Sequence, residues 1–263
     1  MAYKICQVIF SANRVEYLTR TLDTQNLLDF SGCNVDKIFF DDLPLNRNDR
    51  LIAELAKSHG YQELYLHPVN LGLSVTWTEF WNLIRGRDYD YIWHQEDDVE
   101  LLEPVKIVEL IKLLEDNPNF AQIVLKRQAW YSNEEPPRAF EDDIITDIGR
   151  VEYNKQLVFS PMASLYSIDR VRFDYSSWYR ENYPDTNLHS INFNEGMIGV
   201  ALYGSQQLIP ARLKNINGQN IINHIGEYFS GKRVLPDEPG YASFARYDPD
   251  KKYNSRDGSE YQS

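Results

Sequence analysis

Three adjacent carboxylates, Glu96-Asp97-Asp98, follow the largely apolar stretch Tyr91-Ile92-Trp93-His94-Gln95. Adjacent anions raise one another's pKa, and carboxylates cannot all be buried unpaired. Such a cluster is tolerated at a strand end when a cation lies on it. A divalent metal that also carries a phosphorylated ligand fits, because hard cations take carboxylate oxygens and keep further positions for phosphate. The same residues also read as a solvated acidic turn before a helix, with Glu100 and Glu103 complementing the helix dipole. Acids end a second apolar run at Ile38-Phe39-Phe40-Asp41-Asp42. Ser11-Ala12-Asn13-Arg14 ends a third, and places backbone N–H groups and a basic side chain where an anion can be held.

The elements that must position these residues are legible from hydrophobic spacing. Residues 4–10 form a short apolar run that predicts a buried parallel strand. Val15, Leu18, Leu22 and Leu27 then fall at helical spacing, which predicts a helix over 15–28. A second strand is expected over 35–40, a helix over 48–59 ending at Gly60, and a third strand over 64–66. The loop 67–74 carries Pro and Gly, and a helix over 75–84 brings Trp77, Phe80 and Trp81 inward. A strand over 88–93 delivers the acidic cluster, and an amphipathic helix covers 104–115. This βα alternation, with connections too long for hairpins, predicts a doubly wound parallel sheet whose strand ends share one edge.

Beyond residue 119 the pattern changes. Strands are expected at 121–125, 151–159, 164–167 and from 207, with a helix over 194–203 ending at Gly204. The polar, Pro-containing segment 132–143 reads as a loop that can act as a lid. Lys126, Arg127, Gln128 and Trp130 close a strand near the same edge; they suit an acceptor or phosphate, and equally a basic turn with a core Trp. His94, inside a strand beside Trp93, reads as structural. From residue 237 the chain lacks periodicity and reads as an irregular tail.

The 263 residues suit one large α/β domain. A formal net charge of −12 disfavours broad binding to nucleic acid or anionic membranes, while leaving room for a local basic groove. No window of about 18 apolar residues occurs, so no membrane span is expected. The apolar stretch near the N-terminus is too short and too early for a signal peptide. Cys6 and Cys33 lack metal spacing and read as reduced thiols, which points to a cytoplasmic setting.

Taken in order, these motifs resemble family-2-type glycosyltransferases with the GT-A fold. The resemblance runs over about residues 4–230 and rests on Val8-Ile9-Phe10-Ser11-Ala12-Asn13-Arg14, Ile38-Phe39-Phe40-Asp41-Asp42, Asn70-Leu71-Gly72-Leu73-Ser74, Glu96-Asp97-Asp98 in place of a DxD motif, Asn194-Glu195-Gly196, and His224-Ile225-Gly226. It implies a single Rossmann-like GT-A domain over 1–235. Within it, a nucleotide-sugar-binding half spans about 1–118 and a smaller, mixed acceptor-side half about 119–235, with a tail over 236–263. The resemblance also implies roles. Asp98 and His224 would ligate Mn2+ or Mg2+. Glu96 and Asp97 would support the donor or hold the loop. Ser11, Asn13, Arg14, Asp41, Asp42, Asn70 and Gly72 would contact the nucleotide-diphospho sugar. Glu195 would act as general base in an inverting transfer.

The expected activity is metal-dependent hexosyl or pentosyl transfer from a nucleotide-diphospho donor to an acceptor hydroxyl, on a glycan, a small molecule, or a hydroxylated base of phage-type DNA. A nucleotidyltransferase is the rival enzyme; it would usually carry a Gly-rich phosphate loop after the first strand, which residues 11–14 lack. A binding module without chemistry is the non-enzymatic rival.

Overall fold

The computed structural model describes residues 2–12, 14–42, 49–68, 73–127, 143–153, 160, 162–171, 208–225, 228–229 and 232–233. In chain order, β1 (Tyr3–Ser11) leads to α1 (Val15–Asp23), a 3-10 turn (Gln25–Leu27), β2 (Leu28–Asp29) and β3 (Cys33–Asp41). Then come α2 (Asp49–Ser58), β4 (Glu63–Leu66), α3 (Leu73–Arg85), β5 (Tyr91–Glu96), β6 (Val99–Leu101), β7 (Val105–Lys106) and α4 (Ile107–Asp116). The later part contributes β8 (Phe120–Leu125), β9 (Asp143–Thr146), β10 (Gly149–Tyr153), β11 (Ser164–Ser167), α5 (Ile168–Val171), β12 (Ile209–Lys214) and β13 (Ile222–His224).

Nine of these strands form one sheet in the order β4-β3-β1-β5-β11-β8-β12-β10-β9. β4, β3, β1 and β5 are parallel, as the βα alternation predicts. β11 runs antiparallel between β5 and β8, and β12 pairs parallel with β8. β10 is antiparallel to both β12 and β9, so the sheet is mostly parallel, with β11 and β10 running against the other seven strands. From β1 the chain steps outward through β3 to β4, then returns to place β5 on the other side of β1. That reversal is a topological switch point, where open α/β sheets bind ligands beyond their strand ends. Its flanking residues, Phe10 and Glu96, are register partners.

Alternation along the strands packs both faces. Trp93, Leu110, Ile111, Leu114 and Ile123 belong to one apolar cluster, on the α4 side. Phe10, Phe40, Trp77, Phe80 and Ile92 fill the α3 side. Leu18, Leu22, Phe39 and Ile52 join α1 and α2 to the sheet. Gly149 is demanded by close approach: at φ +151 a Cβ there would lie 2.1 Å from the carbonyl oxygen of Lys214. No helix among the described residues is long and apolar enough to cross a membrane.

Several boundaries differ from the periodicity. The helix expected over 15–28 ends at Asp23, where the Thr24 hydroxyl donates to the carbonyl of Thr21 at 2.9 Å. Leu28 turns instead into the core under α4, and β2 pairs with β7. That pairing draws Val105 and Lys106 into a strand, so the helix expected from 104 begins at Ile107. The strand expected over 88–93 is displaced to Tyr91–Glu96. Asp90 instead joins the chain to Lys4, accepting from its N–H at 2.8 Å. Residue 143, placed in a loop by its polar neighbours, opens β9; residues 132–142 lie outside the described residues. Of the strand expected over 151–159, Gly149–Tyr153 is described. The helix expected over 194–203 and the tail from 237 lie outside the described residues.

Candidate active site

β5 carries polar residues to its very end because β1 pairs with it as far as Glu96, while β11 pairs with it from Tyr91 to His94. His94 is buried against Phe10 and Trp77, with ring centroids 4.5 and 4.7 Å away. Burial pushes its pKa down to about 3, so the ring is a neutral part of the apolar layer. Gln95 on the opposite face donates to the carbonyl of Val99 at 2.8 Å and ties the strand to the segment beyond the acids. Glu96 thus ends the strand at the switch point, and Asp97 and Asp98 form the turn into β6.

That turn is clamped from three directions. The backbone N–H of Asp97 donates to the carbonyl of Phe10 at 3.0 Å, extending the β1–β5 ladder by one rung. The hydroxyl of Thr21 on α1, fully buried, donates to the carbonyl of Asp97 at 2.8 Å and accepts from the N–H of Val99 at 3.1 Å. The N–H of Ile225 donates to the carbonyl of Asp98 at 2.8 Å, while β13 pairs antiparallel with β6. This last contact carries His224 to the acids across more than a hundred residues of chain. Thr21→Val keeps the shape but orphans two buried backbone groups. A loss of about 2 kcal/mol in denaturant unfolding is expected.

The side chains divide into two groups. Asp97, 1% exposed, is consumed by the protein. Its Oδ2 accepts from Ser11 Oγ at 3.1 Å, Ala12 N at 3.0 Å and Arg14 Nε at 3.3 Å, and its Oδ1 pairs with Arg14 Nη2. Asp98, 4% exposed, lies between Arg14 and His224. Its Oδ2 lies 2.9 Å from Arg14 Nη1 and its Oδ1 lies 3.1 Å from His224 Nε2. These are ion contacts without hydrogen-bond alignment, and Asp98 Oδ1 is buried while accepting no hydrogen bond among the described residues. Burial opposes ionisation of Asp98, but Arg14 and His224 outweigh it and hold the carboxyl well below the usual carboxylate range. Burial pushes Asp97 up against the pull of Arg14. Arg14 itself loses solvation, yet Asp97 and Asp98 more than restore its charge.

Glu96, Asp98 and His224 offer ligand atoms that all lie within 4.8 Å of one another. Two carboxylate oxygens and an imidazole nitrogen form a donor set suited to a divalent metal. A spacing near 3 Å, as between Asp98 Oδ1 and His224 Nε2, is what two adjacent ligands at about 2.1 Å from an octahedral ion require. The orphaned Oδ1 and this spacing together fit a metal.

On the neighbouring strand, Asp41 and Asp42 are buried at the same edge. The N–H of Asp42 donates to the carbonyl of Ser11 at 2.8 Å, which fixes the β3 end beside the β1 end. His67 stands behind Asp42, its Nδ1 3.3 Å from Asp42 Oδ1 and its Nε2 2.7 Å from Glu79 Oε2 on α3. The fold therefore gathers Ser11, Arg14, Asp41, Asp42, Glu96, Asp97, Asp98 and His224 along one edge. Asn13, Asn70, Gly72, Glu195, Gln128 and Trp130 lie outside the described residues. Sequence reasoning missed Thr21, His67 and Glu79. A Thr on the inner face of α1, a position otherwise filled by Leu18 and Leu22, was the available signal for the first.

No family model matches the chain, and no curated protein matches it. Solved structures do. GalNAc-T7 with UDP, GalNAc and Mn2+ superposes with a TM-score of 0.53 at 9% identity, over 89% of this chain and 45% of that one. The mannosyltransferase PcManGT from Pyrobaculum calidifontis, in complex with GDP-Man and Mn2+, gives 0.51 at 8% identity, over 86% and 57%. TarS 1-349 of S. aureus in complex with UDP gives 0.50 at 10% identity, over 85% and 60%. The chain thus spans between 45% and 60% of the length of these structures. At such identities the likeness is one of fold, and the fold is that of the GT-A glycosyltransferases.

Proposed function

We propose that this chain is a metal-dependent glycosyltransferase that moves a sugar from a nucleotide-diphospho donor to an acceptor hydroxyl, with inversion at the anomeric carbon. The observation that carries the reading is the convergence of Glu96, Asp98 and His224 at the switch point of a GT-A sheet. The UDP, GDP-Man and Mn2+ named with the similar structures support a nucleoside-diphosphate donor and a divalent metal.

In this reading Asp98 and His224 hold Mn2+ or Mg2+, and Glu96 binds the ribose or the metal's waters. The bound metal would neutralise charge on the departing diphosphate. Asp41 or Asp42 accepts hydrogen bonds from the base edge or ribose hydroxyls, with His67 fixing the Asp42 carboxylate. Asn13, Asn70 and Gly72 let the backbone approach the nucleotide. Asp97 acts by holding the loop. Glu195 takes the acceptor hydroxyl's proton as that oxygen attacks opposite the leaving group. The acceptor binds over the half from about residue 119 to 235.

A thermal-shift screen of UDP-, GDP- and dTDP-sugars with Mn2+ tests this reading. A donor at about 100 times its Kd should stabilise the fold by about 2.7 kcal/mol, and only in the presence of the metal. No shift with any nucleotide sugar would remove the donor site.

A further inference from the structure

Arg14 stands where its charge works against a metal, directly on the carboxylates that would bind one. Its guanidinium is not free to leave. Nε and Nη2 form a fork on Asp97, and Asp97 is itself pinned to the β1 end by Ser11 Oγ and the N–H of Ala12. The planar group then has one direction left for Nη1, toward Asp98 Oδ2 at 2.9 Å. Arg14 is 15% exposed at its side chain and Asp98 5%, so solvent screens this contact little. The two oxygens of Asp98 are thereby made unlike. Oδ2 faces a fixed cation; Oδ1 faces His224 Nε2 and accepts no hydrogen bond among the described residues.

We infer that Arg14 determines cation specificity at this site by restricting Asp98 to a single ligating oxygen. The inference rests on the proposed metal role of Asp98 and His224 and adds to it. A second oxygen of the same carboxylate can reach a metal only if that metal also approaches Nη1, and like charges at such a distance repel strongly in a buried site. Large Ca2+ draws on bidentate carboxylates to complete six to eight oxygen ligands, whereas Mg2+-sized ions accept single oxygens in octahedral order. Blocking Oδ2 therefore penalises Ca2+ more than Mn2+. The fork is essential: a lysine ammonium can neutralise Asp97 but cannot grip it and reach Asp98 in a fixed plane. Arg14 is thus a positioning residue, acting on the metal through Asp98.

The experiment titrates Mn2+ and Ca2+, each alone, into wild type, Arg14→Lys and the double variant Arg14→Met/Asp97→Asn, by calorimetry with Mn2+ electron paramagnetic resonance as a second readout. The double variant removes the Arg14–Asp97 ion pair as a unit, so no buried guanidinium is stranded, and Asp98 keeps its contact with His224. The expected result is Mn2+ preferred over Ca2+ in wild type, with that preference narrowed by about tenfold in each folded variant, the scale of a ligand's supporting contact. An unchanged Mn2+ to Ca2+ ratio in the folded variants overturns the inference while leaving the metal site intact. A wild type that binds neither cation overturns the metal site itself, and this inference with it.

Discussion

Asp98→Ala is expected to lose Mn2+ binding by on the order of 100-fold or more, and metal-dependent donor binding with it. The size of the effect follows from where the charge sits. Asp98 Oδ1 is the buried oxygen of the proposed ligand group that accepts no hydrogen bond among the described residues, and His224 alone cannot replace it. The fold should survive the change. Arg14 keeps its fork on Asp97, so no buried cation is stranded, and the turn's backbone bonds through Thr21, Phe10 and Ile225 do not involve the Asp98 side chain. Asp97→Ala provides the contrast. It strips Arg14, Ser11 and Ala12 of their common acceptor, so the expected outcome is a loss of about 3 kcal/mol or more of stability. Calorimetric Mn2+ titration and denaturant unfolding of the two variants separate the neighbouring acids. An Asp98→Ala protein that binds Mn2+ and donor like wild type removes Asp98 from the site.

Glu195→Gln carries the second large effect. A positioned general base contributes on the order of 10²–10⁴ in rate, so transfer should fall by that factor while donor and Mn2+ affinities stay at wild-type values. The split between binding and turnover is the informative part, because an amide keeps the size of the side chain and loses only its basicity. Steady-state kinetics beside a donor-binding titration reads both. Retained turnover would take the base role away from Glu195, and lost donor binding would make it a structural residue.

The parallel half of the sheet was legible because each of its strands is a compact apolar run ending on polar residues. The end of β5 was not legible, since Gln95 and Glu96 are polar and only the ladder to β1 keeps them in a strand. β2 and β7 were invisible for a related reason: two-residue strands leave no periodicity, and Leu28 satisfied a helical pattern while belonging to another layer. At the site, sequence order placed Asp98 and His224 in one motif set, and the structure shows the physical link: β13 pairing with β6. The partition of the acids could not be read from Glu-Asp-Asp alone. It depends on Arg14, whose position over Asp97 and Asp98 arises only once β1 and β5 are side by side. The guanidinium of Arg14, whose charge suits a phosphate or a salt bridge, is engaged by both acids.

Metal-dependent transfer from a nucleotide sugar is measured by nucleoside diphosphate release from a panel of UDP-, GDP- and dTDP-sugars, followed with Mn2+ and again after chelation. Slow release from one nucleotide class is expected, water serving as acceptor, abolished by chelation and restored by Mn2+. Release that continues undiminished without metal, or pyrophosphate in place of the nucleoside diphosphate, would contradict metal-dependent transfer.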